Sequence, residues 1–429
     1  MRVWLITIGE PVPIGDEAGA RIMRAGLLAH HLAGRGHDVT WWTSTFDHTR
    51  KVHRFAEDRS VRVGDGLEIR LLKGRGYARN ISLARIVDHR QVAAKFAAQA
   101  PACPKPDVVV CSLPTLELCT EATRYGRAAR VPVVLDVRDL WPDLFLDAFP
   151  PLLRLLARLA LTPMYREARK ACAAATAITG ITDEFVRWGV ARAGRAVGPL
   201  DRSFPMGYPT LQLTDGARDG AEAFWREWGV VRDDGRMTAC FIGSLTRVFD
   251  METVLAATAR LRERGCPFRL VVCGAGPRLE ELRRAAGNRP DVLFPGWVDA
   301  AQIHVLMRLA DVGIDPLPDH LNWTSNINNK AIEYLSAGLP VVASPAHGVL
   351  HDLIVQNGCG FTYEVGDADG LANGLQRLSA DRDGLVRMRR HAAELFARRF
   401  RAESVYAEVE AYLGEVVAAF REGRAGSPA

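Results

Sequence analysis

Lysine is scarce in this chain of 429 residues. Only six of its 55 Lys and Arg residues are lysine, and Lys330 is the only one after Lys170. None of the eight cysteines forms a C-x-x-C pair, and most stand in apolar runs such as VVVCS (108–112). That spacing argues against a zinc site or a disulfide framework and fits buried reduced thiols. No run of 18 apolar residues occurs, which excludes a membrane-spanning helix of ordinary design. The opening MRVWLITIGEP meets Gly9-Glu10-Pro11 too soon for a signal peptide. A dinucleotide fingerprint is missing too: the loop after Ile8 reads GEPVPIGDEAG, and Gly274-Ala275-Gly276 lacks a third glycine. An NAD-dependent oxidoreductase is therefore disfavoured. Composition is ordinary, 48% hydrophobic and 24% charged, so the chain is neither disordered nor fibrous. A net charge of +5 is not concentrated as in a dedicated nucleic-acid binder, and no nucleic-acid partner is expected.

Apolar strands alternate with amphipathic helices. Val3–Ile8, Asp38–Ser44, Asp107–Cys111 and Val131–Asp136 read as strands, several buried on both faces as in a parallel sheet. After an irregular, proline-rich stretch between Gly198 and Asp234 the pattern restarts. Met237–Ile242, Phe268–Cys273, Val292–Phe294, Val312–Pro316 and Val341–Ala343 are its strands. The fold class is α/β, with two Rossmann-like, doubly wound domains facing a central cleft. The expected division is 1–207, 208–394, and a helix in 395–429 that crosses back to the first domain before a short flexible tail.

The most unusual segment is Asn322–Gly338, NWTSNINNKAIEYLSAG. Four of the chain's eight asparagines, Asn322, Asn326, Asn328 and Asn329, fall in its first eight positions. It follows a strand and leads into a helix starting near Asn328. The helix start favours a phosphate, and Lys330 adds a full charge there. Glu333, one turn on, is placed to accept hydrogen bonds from a vicinal diol such as a ribose. An ordinary surface Lys–Glu pair is the plainer alternative. Two D-x-D matches, Asp367–Asp369 and Asp381–Asp383, sit in turn-like segments suited to helix capping, so no metal site is expected.

The run Asn329–Ser344, NKAIEYLSAGLPVVAS, resembles the donor site of retaining family 4 glycosyltransferases with the GT-B fold. It is most similar to fucosamine-transferase-like enzymes of bacterial surface-polysaccharide and lipopolysaccharide synthesis. GHDVTWWTS (36–44), RDLWPD (138–143), FIGSL (241–245), VVCGAGP (271–277) and FPGWV (294–298) follow in the family's order. The resemblance implies a retaining, metal-independent transferase without a cofactor, taking a UDP-linked N-acetylated or deoxy hexosamine as co-substrate. Lys330 matches the diphosphate lysine and Glu333 the ribose-binding second glutamate of an E-x7-E pattern. Ser325 stands where the first glutamate belongs. Arg247, three residues past the usual arginine position at Ser244, is the substitute second cation. Gly243, Gly274, Gly276, Trp297 and Val298 would border the nucleotide. Asn326, Asn328 and Asn329 would line the sugar side. Gly15 and Arg21 resemble the loop and helix start facing the diphosphate, and Asp139 would point toward the reacting sugar and acceptor. Its plainer reading is a carboxylate paired to Arg138 or capping a turn.

The acceptor would be lipid-linked or a glycan. Residues 151–170 carry a net charge of +4 and residues 73–95 a net of +5, mixed with leucines. Such segments fit a cytoplasmic protein resting on an anionic membrane face, although a solvated basic surface reads almost as well. A nucleotide-sugar epimerase of the same fold, or a non-catalytic sugar-nucleotide-binding subunit, are the competing functions.

Overall fold

The computed structural model describes residues 1–14 and 22–423. Its contacts divide the chain into Met1–Gly207 with Glu403–Ala429, and Tyr208–Ala402.

In the first unit the strands are β1 (Arg2–Ile6), β2 (Asp38–Ser44), β3 (Phe46–Asp47), β4 (Val52–His53), β5 (Arg59–Arg62), β6 (Leu67–Leu72), β7 (Val108–Leu113), β8 (Val133–Val137), β9 (Ala177–Gly180) and β10 (Arg202–Ser203). Eight of them form one sheet in the order β10-β9-β8-β7-β1-β2-β6-β5, while β3 and β4 pair separately. Every pairing in the large sheet is parallel except β5 with β6. All residues of β7 and β8 are buried, because helices cover both faces. Trp4 and Trp42 meet edge to face at 5.4 Å, and Phe96 closes on Trp42 at 5.1 Å. These rings anchor the core on one face of the sheet.

The second unit holds β11 (Met237–Ile242), β12 (Phe268–Cys273), β13 (Val292–Gly296), β14 (Val312–Pro316), β15 (Val341–Ser344) and β16 (Gly360–Thr362). They form an all-parallel sheet in the order β13-β12-β11-β14-β15-β16. The order runs outward from β11 in one direction and from β14 in the other. Their carboxyl ends therefore flank the switch point at which such sheets bind ligands.

The expected boundary at 394/395 needs correction. Residue 395 lies inside the helix Arg382–Arg399, which belongs to the second unit, and the returning helix is Ala402–Arg421. The chain breaks at Phe400-Arg401, where Tyr208 takes over the hydrogen bonding: its N–H donates to the Phe400 carbonyl (2.8 Å), and its own carbonyl accepts from Ala402 (3.1 Å). The returning helix packs on the first unit through Tyr412, whose hydroxyl donates to the Leu200 carbonyl (2.8 Å). Glu410 meets His31 and His37, each at 2.9 Å. Burial pushes the Glu410 carboxyl up, but the hydrogen bonds from His37 and His31 and the Arg35 charge together hold it below its ordinary value. The tail expected to be flexible falls mostly in 424–429, outside the described residues.

Candidate active site

The helix Asn329–Ser336 begins where β14 and a short helix, Leu321–Thr324, deliver the asparagine-rich loop. Asn328 is its N-cap. The side-chain carbonyl accepts from the Ala331 N–H (3.0 Å), and the amide donates to Asp315 Oδ2 (2.7 Å). One asparagine thus satisfies a helix-start donor and ties the helix to the end of β14. Tyr334 makes the second tie: its hydroxyl accepts from the Ile242 N–H (3.2 Å) and donates to the Ile314 carbonyl (3.3 Å). The helix start is fixed to both strands that flank the switch point.

Lys330 is half-buried, its Nζ 3.7 Å from the Phe249 ring centroid and 5.3 Å from that of Phe241. Such cation–π contacts hold an ammonium without neutralising it. Gly243, at the end of β11, is the backbone that faces it. A Cβ there would lie 2.9 Å from Lys330 Cε and 3.1 Å from Nζ. Asp315 completes the setting. Burial raises its carboxyl above the ordinary value, while the Lys330 charge and the Asn328 hydrogen bond oppose that rise. Among the described residues its Oδ1 is buried with no hydrogen-bond partner, as is Asn326 Oδ1 in the asparagine-rich loop. Buried unpaired acceptors are costly, and a bound donor group or water would satisfy them.

Glu333 is buried (5% exposed), and Oε1 accepts from the Tyr208 hydroxyl at 2.7 Å. A solvated surface pair with Lys330 does not describe it. Ser325, Asn326 and Asn328 are buried as well, whereas Asn329 is exposed. The loop rests on Gly348 (φ +91°), where a Cβ would stand 2.4 Å from the Thr324 carbonyl.

Gly274 and Gly276 let two neighbouring strand-end loops merge. A Cβ on Gly274 (φ +132°) would stand 1.9 Å from the Gly243 carbonyl oxygen. Gly243 N–H donates to Cys273 (3.0 Å), Leu245 N–H to Ala275 (3.0 Å) and Gly274 N–H to Gly296 (2.7 Å). The turn after β13 leaves Trp297 exposed (75%) and Val298 buried. Arg247 is exposed further along the Gly243 loop, and its charge acts on Glu281. The structure thus joins Lys330, Gly243 and Asn328 directly and leaves Arg247 and Trp297 on the open rim.

In the first unit Asp139 is half-buried after β8, and its charge acts on Arg85. The Arg138 guanidinium goes elsewhere, to Asp136 (3.0 Å) and Glu10. Asp136 is also gripped by Arg24 through two bonds of 3.0 and 3.1 Å. Burial alone would raise the Asp136 carboxyl, but Arg24 and Arg138 hold it well below the usual range. Gly15 and Arg21 lie outside the described residues.

Phe249, Asp315, Tyr208 and the network that joins Glu10, Arg24 and Asp136 to Arg138 were not legible in the sequence, although Arg138 itself was named there. An aspartate ending an apolar strand, as in VGIDP and VVLDV, was the available signal. Asp367 and Asp381 each cap a helix, accepting from Gly370 (2.8 Å) and Gly384 (2.7 Å). Among the described residues no group of three or more His, Cys, Asp or Glu converges as metal ligands.

Residues 236–381 match the family described as Glycosyl transferases group 1. A GDP-mannose-dependent alpha-(1-6)-phosphatidylinositol monomannoside mannosyltransferase of Mycobacterium tuberculosis is 27% identical over 184 residues, 42% of this chain. The match spans about half (47%) of that relative. Among solved structures, sucrose-phosphate synthase from Thermosynechococcus elongatus aligns with a TM-score of 0.70 at 17% identity, over 97% of this chain and 99% of the other. Anabaena Alr3699/HepE in complex with UDP-glucose aligns with a TM-score of 0.63 at 16% identity, over 97% of this chain and 100% of the other. The fold is therefore GT-B. Gly243, Gly274, Gly276, Asn328, Lys330 and Glu333 all fall inside the segment that matches the group 1 description.

Proposed function

We propose that the chain moves a glycosyl group from a nucleotide-diphosphate sugar to an acceptor hydroxyl. The observation that carries this reading is the Lys330 ammonium, held at a helix start beside Gly243 and one turn from buried Glu333. When the bond from the anomeric carbon to the diphosphate breaks, negative charge grows on the leaving phosphate. Lys330 and the helix dipole oppose that charge in place of a metal ion, with Arg247 as second cation. Glu333 holds the ribose. The acceptor hydroxyl forms the new bond and loses its proton to the departing phosphate, with retention at the anomeric carbon. Asp139 orients the reacting sugar and acceptor. Full loss of activity in excess EDTA, restored by magnesium or manganese, would overturn the metal-free reading.

The similarity to fucosamine-transferase-like enzymes of family 4 favours a UDP-linked hexosamine and a role in bacterial surface-polysaccharide synthesis. The printed name of the mycobacterial relative favours GDP-mannose as a second reading of the donor. Thermal shifts with UDP-, GDP-, ADP- and dTDP-sugars separate the two, and no shift with any of them would sink both.

A lipid-linked acceptor at the inner face of the cell membrane is the companion proposal. In the first unit Leu152, Leu153, Leu155, Leu156 and Leu159 are exposed by 47–92%, with exposed Arg154 and Arg158 among them. Ile81 and Leu83 are likewise exposed near Arg79. Apolar side chains on show among cations suit an anionic bilayer surface. No helix among the described residues is long and apolar enough to cross a membrane.

A further inference from the structure

A cavity of the Tyr208–Ala402 unit has no part in the proposed transfer. It holds about 640 Å3 between the helices Asp215–Glu227 and Ala300–Leu309 and the segment 211–213. Arg218, Arg232, His304 and Arg308 line it, and among the described residues Glu222 is the one carboxylate in its wall. Arg232 lies in the turn leading into β11, and Arg308 ends the helix leading into β14. The cavity therefore opens at the amino edge of the sheet, whereas Gly243 and the asparagine-rich loop leave its carboxyl edge.

Among the described residues its cations have few carboxylate partners. Arg218 has only an exposed contact with Asp215 at 3.2 Å, and Arg232 donates to a neutral acceptor, the Arg308 carbonyl (3.1 Å). Among the described residues no carboxylate forms an ion pair with Arg232 or Arg308. Asp311, close by, is already engaged by Arg382 (3.3 Å) and the Thr238 N–H (2.8 Å). Two neighbours register the excess charge. Burial first, then Arg308 and Arg218, lower the pKa of His304. Burial first, then Arg232 and, past the opposing Asp311, Arg308 do the same to Arg389.

We infer that this cavity binds a small phosphorylated anion at a site separate from the donor site. Guanidinium forks match phosphate oxygens two at a time, and the volume falls within the roughly 300–1,000 Å3 usual for small-molecule sites. Three arginines against Glu222 and the exposed Asp215 still leave an excess of positive charge for an anionic ligand.

The experiment is calorimetric titration with inorganic pyrophosphate. In the Lys330→Ala protein, which lacks the donor-site cation, one binding event is expected to remain. Adding Arg232→Gln and Arg308→Gln should weaken that event by roughly tenfold or more, as expected on losing two charge-assisted contacts. Arg187→Gln, an exposed change in the first unit, should leave it unaltered. Loss of all binding in Lys330→Ala alone would overturn the inference. So would an unchanged event in the double-arginine protein, or an equal loss from Arg187→Gln.

Discussion

Replacing Gly243 with alanine adds one methyl carbon at the place where backbone and lysine are closest. That carbon would sit 2.9 Å from Lys330 Cε and 3.1 Å from Nζ. Ordinary carbon contacts settle at about 3.5–4.0 Å, so the ammonium must retreat by roughly 0.5–1 Å. The clash is with the end of a flexible side chain, but an alanine at φ +158° is also strained, so the fold should lose roughly 1–3 kcal/mol. Catalysis is less forgiving. A misplacement of about 1 Å can cost up to about 10²-fold, so kcat should fall by roughly 10- to 100-fold. Gly274→Ala provides the contrast, since its Cβ would stand 1.9 Å from the Gly243 carbonyl oxygen, which is backbone and cannot swing aside. There the melting temperature should fall first. Steady-state kinetics and thermal melts of both variants, with Gly243→Ala repeated in a Lys330→Ala background, make the test. If the glycine acts on catalysis through the lysine, its substitution lowers kcat hardly at all once the lysine is gone. Additive losses in the double variant would refute the reasoning.

Glu333→Gln should raise the donor KM with kcat little changed, because a ribose contact serves ground and transition states alike; a fall in kcat at unchanged KM would reassign it. Changing exposed Arg154, Arg158 and Arg166 to glutamine should release the protein from vesicles rich in anionic lipid while leaving donor binding intact, and equal sedimentation with vesicles before and after would count against membrane docking. Burial, followed by the Arg85 and Lys51 charges, lowers the pKa of His48 to about 4. The folded state therefore binds fewer protons there than the unfolded chain, and this contribution to stability is present above pH 6.5 and is lost as pH falls toward 4; an NMR titration finding His48 near 6.5 would contradict it.

What the sequence disclosed follows from what each element buries. β7, β8, β11 and β12 are buried along their whole length, so they stand out as continuous apolar runs. β6 alternates through Glu68 and Arg70, and its partner β5 is largely exposed, so neither carries that signature. The irregular stretch after Gly198 conceals the helix Asp215–Glu227, which buries only Ala221 and Trp225. The break at Phe400-Arg401 is set by pairing with Tyr208, a partner far away in sequence, which explains the misplaced boundary. The same limit applies at the active site. Asn328, Lys330 and Glu333 sit on one helix and were legible from local spacing. Phe249, Asp315 and Tyr208 reach it from other elements, and only the fold brings them together.

The central claim is that Lys330 stabilises charge developing on a departing diphosphate, and Lys330→Ala tests it most directly. With saturating donor and a lipid-linked acceptor, kcat should drop by roughly 10²–10³-fold, the usual loss on removing one strong electrostatic stabiliser. Donor KM should change far less, and the thermal melt should stay close to that of the unmodified protein. A near-unchanged kcat would contradict the account, reducing Lys330 to a lysine lodged against Phe249 for packing alone.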